Sequence, residues 1–172
     1  MIAATLAPES AAPLSAERHA ELRLWLRLLT CSSLMEGEIR RRLREAFGVT
    51  LPRFDLLAQL DRAPDGLMLG EISRRMMVSN GNVTLLAERL AGEGLITRTP
   101  APGDRRAQIV RLTLEGQRAF RAMAGRHEAW VGEMCAGLDP GEIDQLMGLL
   151  GKLKGSARLA QGSSATDREM TA

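Results

Sequence analysis

The chain has 172 residues, a formal net charge of only +2, an apolar content of 45% and an aromatic content of 3%, with no tyrosine. A chain of this length can bury the core of one domain, and the scarcity of aromatic side chains favours packed helices over a β-sandwich. No apolar run approaches the roughly 20 residues of a transmembrane helix, and two distant cysteines make no disulfide framework, so we expect a soluble cytoplasmic protein without a membrane partner.

The N-terminal part of the sequence predicts a tail followed by one long helix. Residues 1–14 are rich in alanine and proline, which predicts a disordered tail. Ser15 is a suitable N-cap and Gly48 a suitable stop, so residues 15–48 are predicted to form a helix that extends to about Phe47. Its apolar residues recur at helical spacing, at Leu22, Trp25, Leu26, Leu29, Met35, Ile39, Leu43 and Phe47.

Three shorter helical patterns follow. The first begins at the cap Thr50, and the turn sequence APDG ends it. The second is short, at residues 69–76, and the third begins at Ser79 or Asn80 and stops at Gly92. The tight connection MVSNG between the second and the third helix is typical of a helix-turn-helix.

Two strand-like runs, residues 95–99 and 108–112, flank the turn sequence PAPGDRRA and predict a β-hairpin. A hairpin directly after a helix-turn-helix is a wing. The predicted fold class is therefore mostly α with a small β-hairpin wing, and residues 49–113 are assigned to a winged helix-turn-helix DNA-binding domain.

The third helix of this block starts with short polar residues, as a helix that reads base edges in the major groove must. Its candidate DNA contacts are these polar residues, a glycine that permits close backbone approach and an arginine within reach of a phosphate: Ser79, Asn80, Asn82, Thr84, Gly81 and Arg89. The serine and asparagine side chains could instead serve as helix caps, and the two roles are compatible.

The wing turn ends in two adjacent arginines, Arg105 and Arg106. Beside a recognition helix they are expected to project toward flanking DNA, where a narrow minor groove concentrates negative potential. Asp104 is expected to orient an arginine through a charge-assisted hydrogen bond. The alternative is a solvated turn, the usual setting of charged turn residues.

Two long helices complete the pattern, within residues 114–160. Thr113 caps the first. The sequence from Asp139, with proline next and glutamate three residues on, starts the second, which is predicted to extend to about Leu159. Residues 161–172 are predicted to be a disordered tail.

Both helices carry apolar seams of the coiled-coil kind. The first seam comprises Phe120, Met123, His127, Trp130 and Met134. The second comprises Ile143, Leu146, Leu150 and Leu153. We expect such seams to need a partner that buries them.

The run from "SRRMMVSNGNVTLLAERL" through "GEGLITRTPAPGDRRAQIVRLTLEGQRAF" resembles the MarR family of bacterial winged-helix regulators. The wing pattern with Asp104 and Arg106 followed by "VRLTLEG" matches the family, as does the segment from Glu88 to Arg98. The resemblance covers about residues 18–159, including the order of the elements.

The resemblance implies a homodimer, with dimerisation through residues 15–48 and 114–160. It also implies a pseudo-palindromic double-stranded DNA operator and a small effector that binds between the dimer and DNA-binding regions and releases the DNA. The expected protein is a transcriptional regulator, most simply a repressor, and not an enzyme. No catalytic constellation, metal site or cofactor site is expected, since no nucleophile–base pair, metal-ligand spacing or phosphate loop occurs in the sequence.

The segment from Leu22 to Leu67 resembles the branch of the family that controls hydroxycinnamate breakdown, which implies an aromatic acid or its coenzyme A thioester as the effector. The residues suggested for the aromatic ring are Trp25, Met35 and Phe54. The residues suggested for a carboxylate or phosphate are Arg27, Arg40, Arg44 and Arg53.

The alternative function is a redox-sensing repressor that acts through Cys31. Such a sensor needs an activated thiolate, usually with a tyrosine nearby, and the chain has no tyrosine. An ordinary buried thiol is therefore the expectation for Cys31.

Overall fold

The computed structural model describes the backbone of residues 16–101 and 103–169, and the side chains of residues 19–101, 103 and 107–161. The predicted tail at 1–14 and the predicted cap Ser15 lie outside the described residues. The helices are α1 (Ala16–Phe47), α2 (Leu51–Asp61), α3 (Leu69–Met76), α4 (Asn80–Gly92), α5 (Leu114–Cys135) and α6 (Pro140–Glu169). The strands are β1 (Leu67–Met68), β2 (Ile96–Ala101) and β3 (Asp104–Leu112). No helix in this part of the chain is long and apolar enough to cross a membrane.

The chain forms two compact units, the first ending at His127 and the second beginning at Glu128. In the first unit, α1 ends where glycine permits a left-handed turn: Gly48 has a φ of 65° and its N–H donates to the Arg44 carbonyl over 3.0 Å. The next helix begins after Thr50, which takes the extended backbone of an N-cap but makes no side-chain capping bond. These boundaries agree with the predicted ones.

The sheet has three antiparallel strands in the order β1-β3-β2, one more than predicted. The two residues of β1 are too few to produce a periodic sequence pattern, and Leu67 pairs with Val110. Gly66, with a φ of 86°, precedes this strand, and a Cβ there would lie 2.6 Å from the Val110 carbonyl oxygen. Only glycine therefore lets β1 approach β3 this closely.

The wing turn is shorter than predicted. Ala101 pairs with Asp104, and Gly103 just before Asp104 supplies a φ of 83°. Because a tight hairpin turn needs positive φ and Gly103 provides it, pairing resumes at Asp104. Arg105 and Arg106 are thus the second and third residues of β3, where the sequence had predicted them in the turn.

The core of the first unit lies between α1, the helix-turn-helix and the central strand. Its fully buried large side chains are Leu43, Leu56, Leu57, Leu60, Ile72, Val83, Leu90 and Val110. All are aliphatic, as the low aromatic content requires, and the buried set draws on five elements. This core fixes α3 and α4 to the sheet and to α2.

The first part of the seam on α5 packs within the chain, although the sequence predicted that the seam needs a partner. The rings of Phe120 and His127 lie 5.5 Å and 4.7 Å from the ring of Phe54 on α2. Phe120 and Met123 are buried without a second chain. For Phe120 and His127, Phe54 of α2 supplies a covering surface that the sequence had assigned to a second chain.

The start of α5 is joined to the base of the wing. The Thr113 hydroxyl accepts from the Gly116 N–H over 3.0 Å and donates to the Gly94 carbonyl over 2.7 Å. A Cβ on Gly116 would overlap the Leu95 carbonyl oxygen. This joint explains the "LTLEG" sequence in structural terms: Thr113 caps the helix, and Gly116 permits the contact.

The second unit contains the end of α5 and all of α6. Asp139 and Glu142 form the predicted capping box, with reciprocal backbone–side-chain bonds of 2.9 Å each. The helix then extends to Glu169, ten residues beyond the predicted end at Leu159. Residues 160–169 contain no proline, so nothing removes a backbone donor and helical hydrogen bonding continues.

Candidate DNA-binding surface

The first turn of α4 presents polar side chains to solvent. Ser79 is the N-cap, and its hydroxyl accepts from the Asn82 N–H over 3.4 Å. Asn80, Gly81 and Asn82 are exposed. A Cβ on Gly81 would meet no atom within 4 Å, so packing within the chain does not require glycine there. These residues are exposed, which their predicted DNA contacts require, and Ser79 also caps the helix.

The opposite face of α4 is buried. Val83, Ala87 and Leu90 each have no exposed area. Because these residues recur at spacings of three and four, they form one stripe and fix the rotation of the helix about its axis. The exposure of Asn80 and Asn82 therefore follows from the fold and is not an accident of side-chain conformation.

Thr84 is only half-buried, but its hydroxyl is engaged within the helix. It donates to the Asn80 carbonyl over 2.9 Å. The donor is therefore used, and the oxygen lone pairs and the methyl group remain for an external contact. The sequence pattern had treated this hydroxyl as free to donate or accept.

Arg89 lies near the other end of α4 and is exposed. It lines an open cleft of about 290 Å³ whose walls include Pro52, Met76, Asn82 and Leu86. Arg89 follows Asn82 by seven residues, which is about two turns of the helix. The side chain is accessible to solvent, and its contact with a phosphate stays a prediction.

The turn that leads into α4 is held by a network that sequence reasoning missed. The Ser73 hydroxyl donates to the Val78 carbonyl over 2.5 Å, and the Val78 N–H donates to the Ser73 carbonyl over 3.2 Å. Met77 has a φ of 55°. The sequence did contain a clue to this turn. The predicted end of α3 at Met76 is only three residues before the cap Ser79, and so short a connection favours a left-handed residue at the helix end.

Two ion pairs that the sequence did not reveal hold the C-terminal half of α4. Arg53 on α2 makes a two-point contact with Glu93, the C-cap of α4, with 2.8 Å between Nη1 and Oε1. Arg98 on β2 approaches Glu88 to 3.5 Å. Both arginines are partly buried between elements. Each therefore lies close to an acidic residue that is distant in sequence.

The backbone of Asp104, Arg105 and Arg106 begins β3 directly after the wing loop. Further along the hairpin, Arg111 donates to Thr99 across the strands over 3.1 Å. The wing therefore places all three predicted residues at its outer end, within the strand and not in the turn.

The seven residues suggested for the effector do not form one cluster. Trp25 and Arg40 are fifteen residues apart on α1, about 22 Å along the helix axis. Phe54 is buried in the aromatic cluster with His127 and Phe120. Arg53 is engaged by Glu93.

The remaining suggested residues lie on α1. Arg40 pairs with Glu36 on the exposed face, Arg44 is exposed and Met35 is half-buried. Arg27 lines a groove of about 310 Å³ together with Arg23 and residues of the same helix face.

Two titratable groups between α1, α2 and α5 have shifted pKa values. Burial, followed by the neighbouring Glu36 carboxylate, raises the pKa of Asp55. Burial lowers the pKa of His127, whose ring packs against Phe54 with 4.7 Å between the centroids. On the exposed side of α1, hydrogen bonds from Arg41 and Arg42 lower the pKa of Glu38 to about 2.

Cys31 is exposed, contrary to the expectation of a buried thiol, and Cys135 is half-buried. Cys31 lies on α1, whose neighbouring apolar residues are also exposed, because this part of the helix extends beyond the core. Both thiols are free.

Comparison with known proteins shows which family this sequence resembles. The MarR family model matches residues 49–107. The transcriptional activatory protein BadR of Rhodopseudomonas palustris is 29% identical over 155 residues, covering 86% of this chain and 88% of BadR. The transcriptional repressor MdtR of Bacillus subtilis is 34% identical over 125 residues, covering 73% of this chain and 76% of MdtR.

Solved structures share the fold. A MarR family regulator from Silicibacter pomeroyi is 28% identical, with a TM-score of 0.71 over 84% of this chain and 99% of that one. A regulator from Streptomyces coelicolor, solved in complex with DNA, is 23% identical with a TM-score of 0.72 over 86% and 92%. CouR from Rhodococcus jostii, solved with p-coumaroyl-CoA, is 21% identical with a TM-score of 0.66 over 76% and 90%.

Sequence similarity over most of two regulators and a shared winged helix-turn-helix architecture lead to one assignment. The chain belongs to the MarR family of transcriptional regulators, which are not enzymes.

Proposed function

We propose that this protein is a homodimeric transcriptional repressor that binds a pseudo-palindromic DNA operator and is released from it by an aromatic acid or its coenzyme A thioester. The observation that carries the proposal is the division of α4 into two faces. Its apolar stripe is completely buried, and its first turn exposes amide side chains. A helix of this kind can enter a major groove without losing its contacts to the core.

The proposed base contacts are Asn80 and Asn82, because an amide can pair with the donor and acceptor of adenine in the major groove. Gly81 lets the backbone approach the DNA closely. Ser79 caps the helix and is proposed to contact a phosphate as well. Thr84 acts through its methyl group or its acceptor lone pairs. The Streptomyces coelicolor regulator, with the same fold, was solved on DNA, which supports this mode.

Sequence-independent contacts would come from cations beside the recognition helix. Arg89 is proposed to reach a phosphate from the far end of α4. Arg105 and Arg106 are proposed to contact flanking DNA from the outer end of the wing, with Asp104 orienting one of them. Each neutralised phosphate releases counterions, so operator affinity should fall steeply as salt rises.

Dimerisation is supported by apolar residues that remain exposed in the single chain. On α1 these are Leu22, Trp25, Leu26 and Leu29, between 43% and 57% exposed. On α6 they are Ile143, Leu146, Leu150 and Leu153, between 36% and 43% exposed. Long helices with uncovered apolar faces call for a second copy. Two copies would set the recognition helices about 34–36 Å apart, one DNA turn.

The effector class is proposed from a solved structure of the same fold and from arginines on α1 and α2. CouR was solved with p-coumaroyl-CoA, an aromatic thioester with several phosphates. The arginines proposed to meet its charges are Arg27, Arg40, Arg44 and Arg53. The side chains proposed to meet the ring are Trp25, Met35 and Phe54. Because Phe54 is buried and Arg53 is paired, these two would act only if α2 moves.

Repression is the proposed sign of regulation. MdtR, the more similar of the two relatives by identity, is named a repressor, whereas BadR is named an activatory protein. In vitro transcription from the chain's own promoter decides the sign: added protein should lower the transcript, and an effector should restore it. A transcript that rises with added protein would identify an activator.

The test of DNA binding uses fluorescence anisotropy with duplexes from the region upstream of the gene. The doubly substituted variant N80A/N82A should lose operator affinity by tenfold or more, while its melting temperature stays within a degree or two because neither side chain is buried. The matched control is Glu128→Ala, a change of an exposed residue outside α4. Equal affinity of wild type and N80A/N82A would refute the recognition-helix assignment.

The effector is sought by thermal shift with a panel of aromatic acids and acyl-CoA thioesters, since a ligand of the folded state raises the melting temperature. A true effector should also lower operator affinity in the anisotropy assay. A compound that stabilises the protein without releasing DNA would not be the effector.

A redox-sensing repressor remains the second candidate, because Cys31 is exposed. An exposed thiol is accessible to peroxide, although access alone does not activate it. Peroxide should weaken operator binding by the wild type and leave Cys31→Ser unaffected. If the treated wild type binds DNA normally and mass spectrometry detects no oxidised Cys31, this candidate is excluded.

A further inference from the structure

The turn between α3 and α4 holds a non-glycine residue in a conformation that favours glycine. Met77 has φ and ψ of 55° and 38°. Its N–H donates to the Arg74 carbonyl and that of Val78 donates to the Ser73 carbonyl, the two bonds of a Schellman cap. Glycine is the usual residue at this position, because a Cβ crowds the neighbouring carbonyl in left-handed backbone. Among the described residues, Met77 is the only non-glycine with a positive φ.

The side chain of Met77 contributes no packing that would offset this strain. It is 93% exposed, the most exposed large apolar side chain in the described part of the chain. Methionine is therefore a poorer choice than glycine for the stability of the isolated chain. Backbone outliers of this kind cluster at functional sites, where another molecule makes use of them.

Met77 lies next to the surface proposed to bind DNA. Met77 lies two residues before Ser79, the cap of the helix whose first turn exposes Asn80 and Asn82. Within the same turn, Arg74 is exposed and forms no ion pair with any described side chain, whereas its neighbour Arg75 pairs with Glu71 over 2.6 Å. The α3–α4 turn thus presents one apolar side chain and one uncompensated cation beside the polar end of α4.

We infer that Met77 and Arg74 form a contact for the DNA backbone at the edge of the major groove. This inference rests on the proposed DNA-binding function and adds a site to it. The thioether of Met77 would lie against the apolar face of a deoxyribose, and the guanidinium of Arg74 would meet the adjoining phosphate. Such a contact positions the protein on the duplex and does not read the base sequence.

The test compares wild type with Met77→Gly, Met77→Leu and Arg74→Gln. Melting temperatures are measured without DNA, and affinities are measured on the operator duplex and on a scrambled duplex of equal length, between 50 and 200 mM salt. Met77→Leu is the matched control, because it keeps an apolar side chain and the same backbone strain.

Met77→Gly should melt roughly 2–4 °C higher, the shift that relief of such strain produces in a chain of this size. It should bind both duplexes roughly fivefold or more weakly, with an unchanged dependence on salt, because the lost contact is apolar. Met77→Leu should resemble the wild type in melting and in binding. Arg74→Gln should reduce the slope of log affinity against log salt by about 0.9 for each phosphate lost.

Met77→Gly that melts higher and binds both duplexes like the wild type would overturn the inference, since the methionine would then be only a tolerated cap. A loss confined to the operator duplex would also overturn it, because the contact would then be to bases. A wild type that binds neither its promoter fragments nor the scrambled duplex would instead refute the proposed function itself.

Discussion

Arg53 of α2 and Glu93, the C-cap of α4, form a two-point ion pair across forty residues of sequence, with 2.8 Å between Nη1 and Oε1. A carboxylate at a helix C-terminus is unfavourable beside the negative end of the helix dipole, and the guanidinium compensates it. The pair therefore holds the C-terminal end of the recognition helix to the helix that precedes the helix-turn-helix.

We predict that Arg53→Met loosens this end of α4 with little effect on overall stability. The Nε atom of Arg53 is buried without an acceptor among the described residues, and this desolvation offsets much of the gain from the pair. The free energy of unfolding should change by about 1 kcal/mol or less. Hydrogen exchange of the last turn of α4 should accelerate.

A charge exchange tests whether the pair itself is responsible. The double variant R53E/E93R should regain much of the protection that either single change removes, and a double-mutant cycle measures the coupling. Additive effects of the two changes would show that the ion pair does not hold the helix.

Gly116→Ala should destabilise the first unit. The added Cβ would overlap the Leu95 carbonyl oxygen at the joint between the wing and α5, and this backbone group cannot move without disturbing the Thr113 cap. We expect a loss of about 1–3 kcal/mol in the free energy of unfolding, measured by denaturant titration.

The matched control for this change is Gly125→Ala on the same helix. A Cβ at Gly125 meets nothing within 4 Å, so the change should be neutral or should stabilise the helix by up to about 1 kcal/mol. If both variants lose the same stability, the clash with the Leu95 carbonyl is not the cause of the loss at Gly116.

Stability should decrease as pH falls below about 6.5, in part through His127. Burial lowers the pKa of His127 below its ordinary value of 6.5, so the unfolded chain binds a proton at a pH where the folded chain does not. The contribution of His127 is therefore present above pH 6.5 and is lost as pH falls through that range. Urea unfolding between pH 5 and 8 measures this dependence.

His127→Phe should flatten that part of the pH profile while it retains an aromatic ring against Phe54. The control is His19→Gln, which leaves the Phe54 cluster intact. An unchanged slope in His127→Phe would assign the pH dependence to other groups.

Arg106→Ala is expected to weaken operator binding and leave the oligomeric state unchanged. The backbone places residue 106 near the outer end of the wing, away from α1 and α6 in sequence. Loss of one phosphate contact should lower the salt slope by about 0.9, measured by anisotropy at several salt concentrations. Arg118→Ala, an exposed change on α5, is the control. Unaltered affinity and slope in Arg106→Ala would exclude the wing contact.

Elements whose signals are local agree closely with the sequence prediction. The Asp139–Glu142 capping box, the cap at Ser79 and the helix end at Gly48 each depend on hydrogen bonds that span no more than four residues. The order of helices and wing follows from these signals, since each helix begins and ends by its own local chemistry. The polar first turn of α4 could be predicted from the sequence for the same reason.

Contacts between distant parts of the chain were decided by tertiary packing. The sequence spacing on α5 did not reveal that Phe54 would cover Phe120, and nothing near Arg53 indicates Glu93 as its partner. The two-residue strand at Leu67 exists only because β3 pairs with it. A local pattern determines which face of an element is apolar, but the partner of that face depends on how all the elements pack together, because burial is a property of the assembled core.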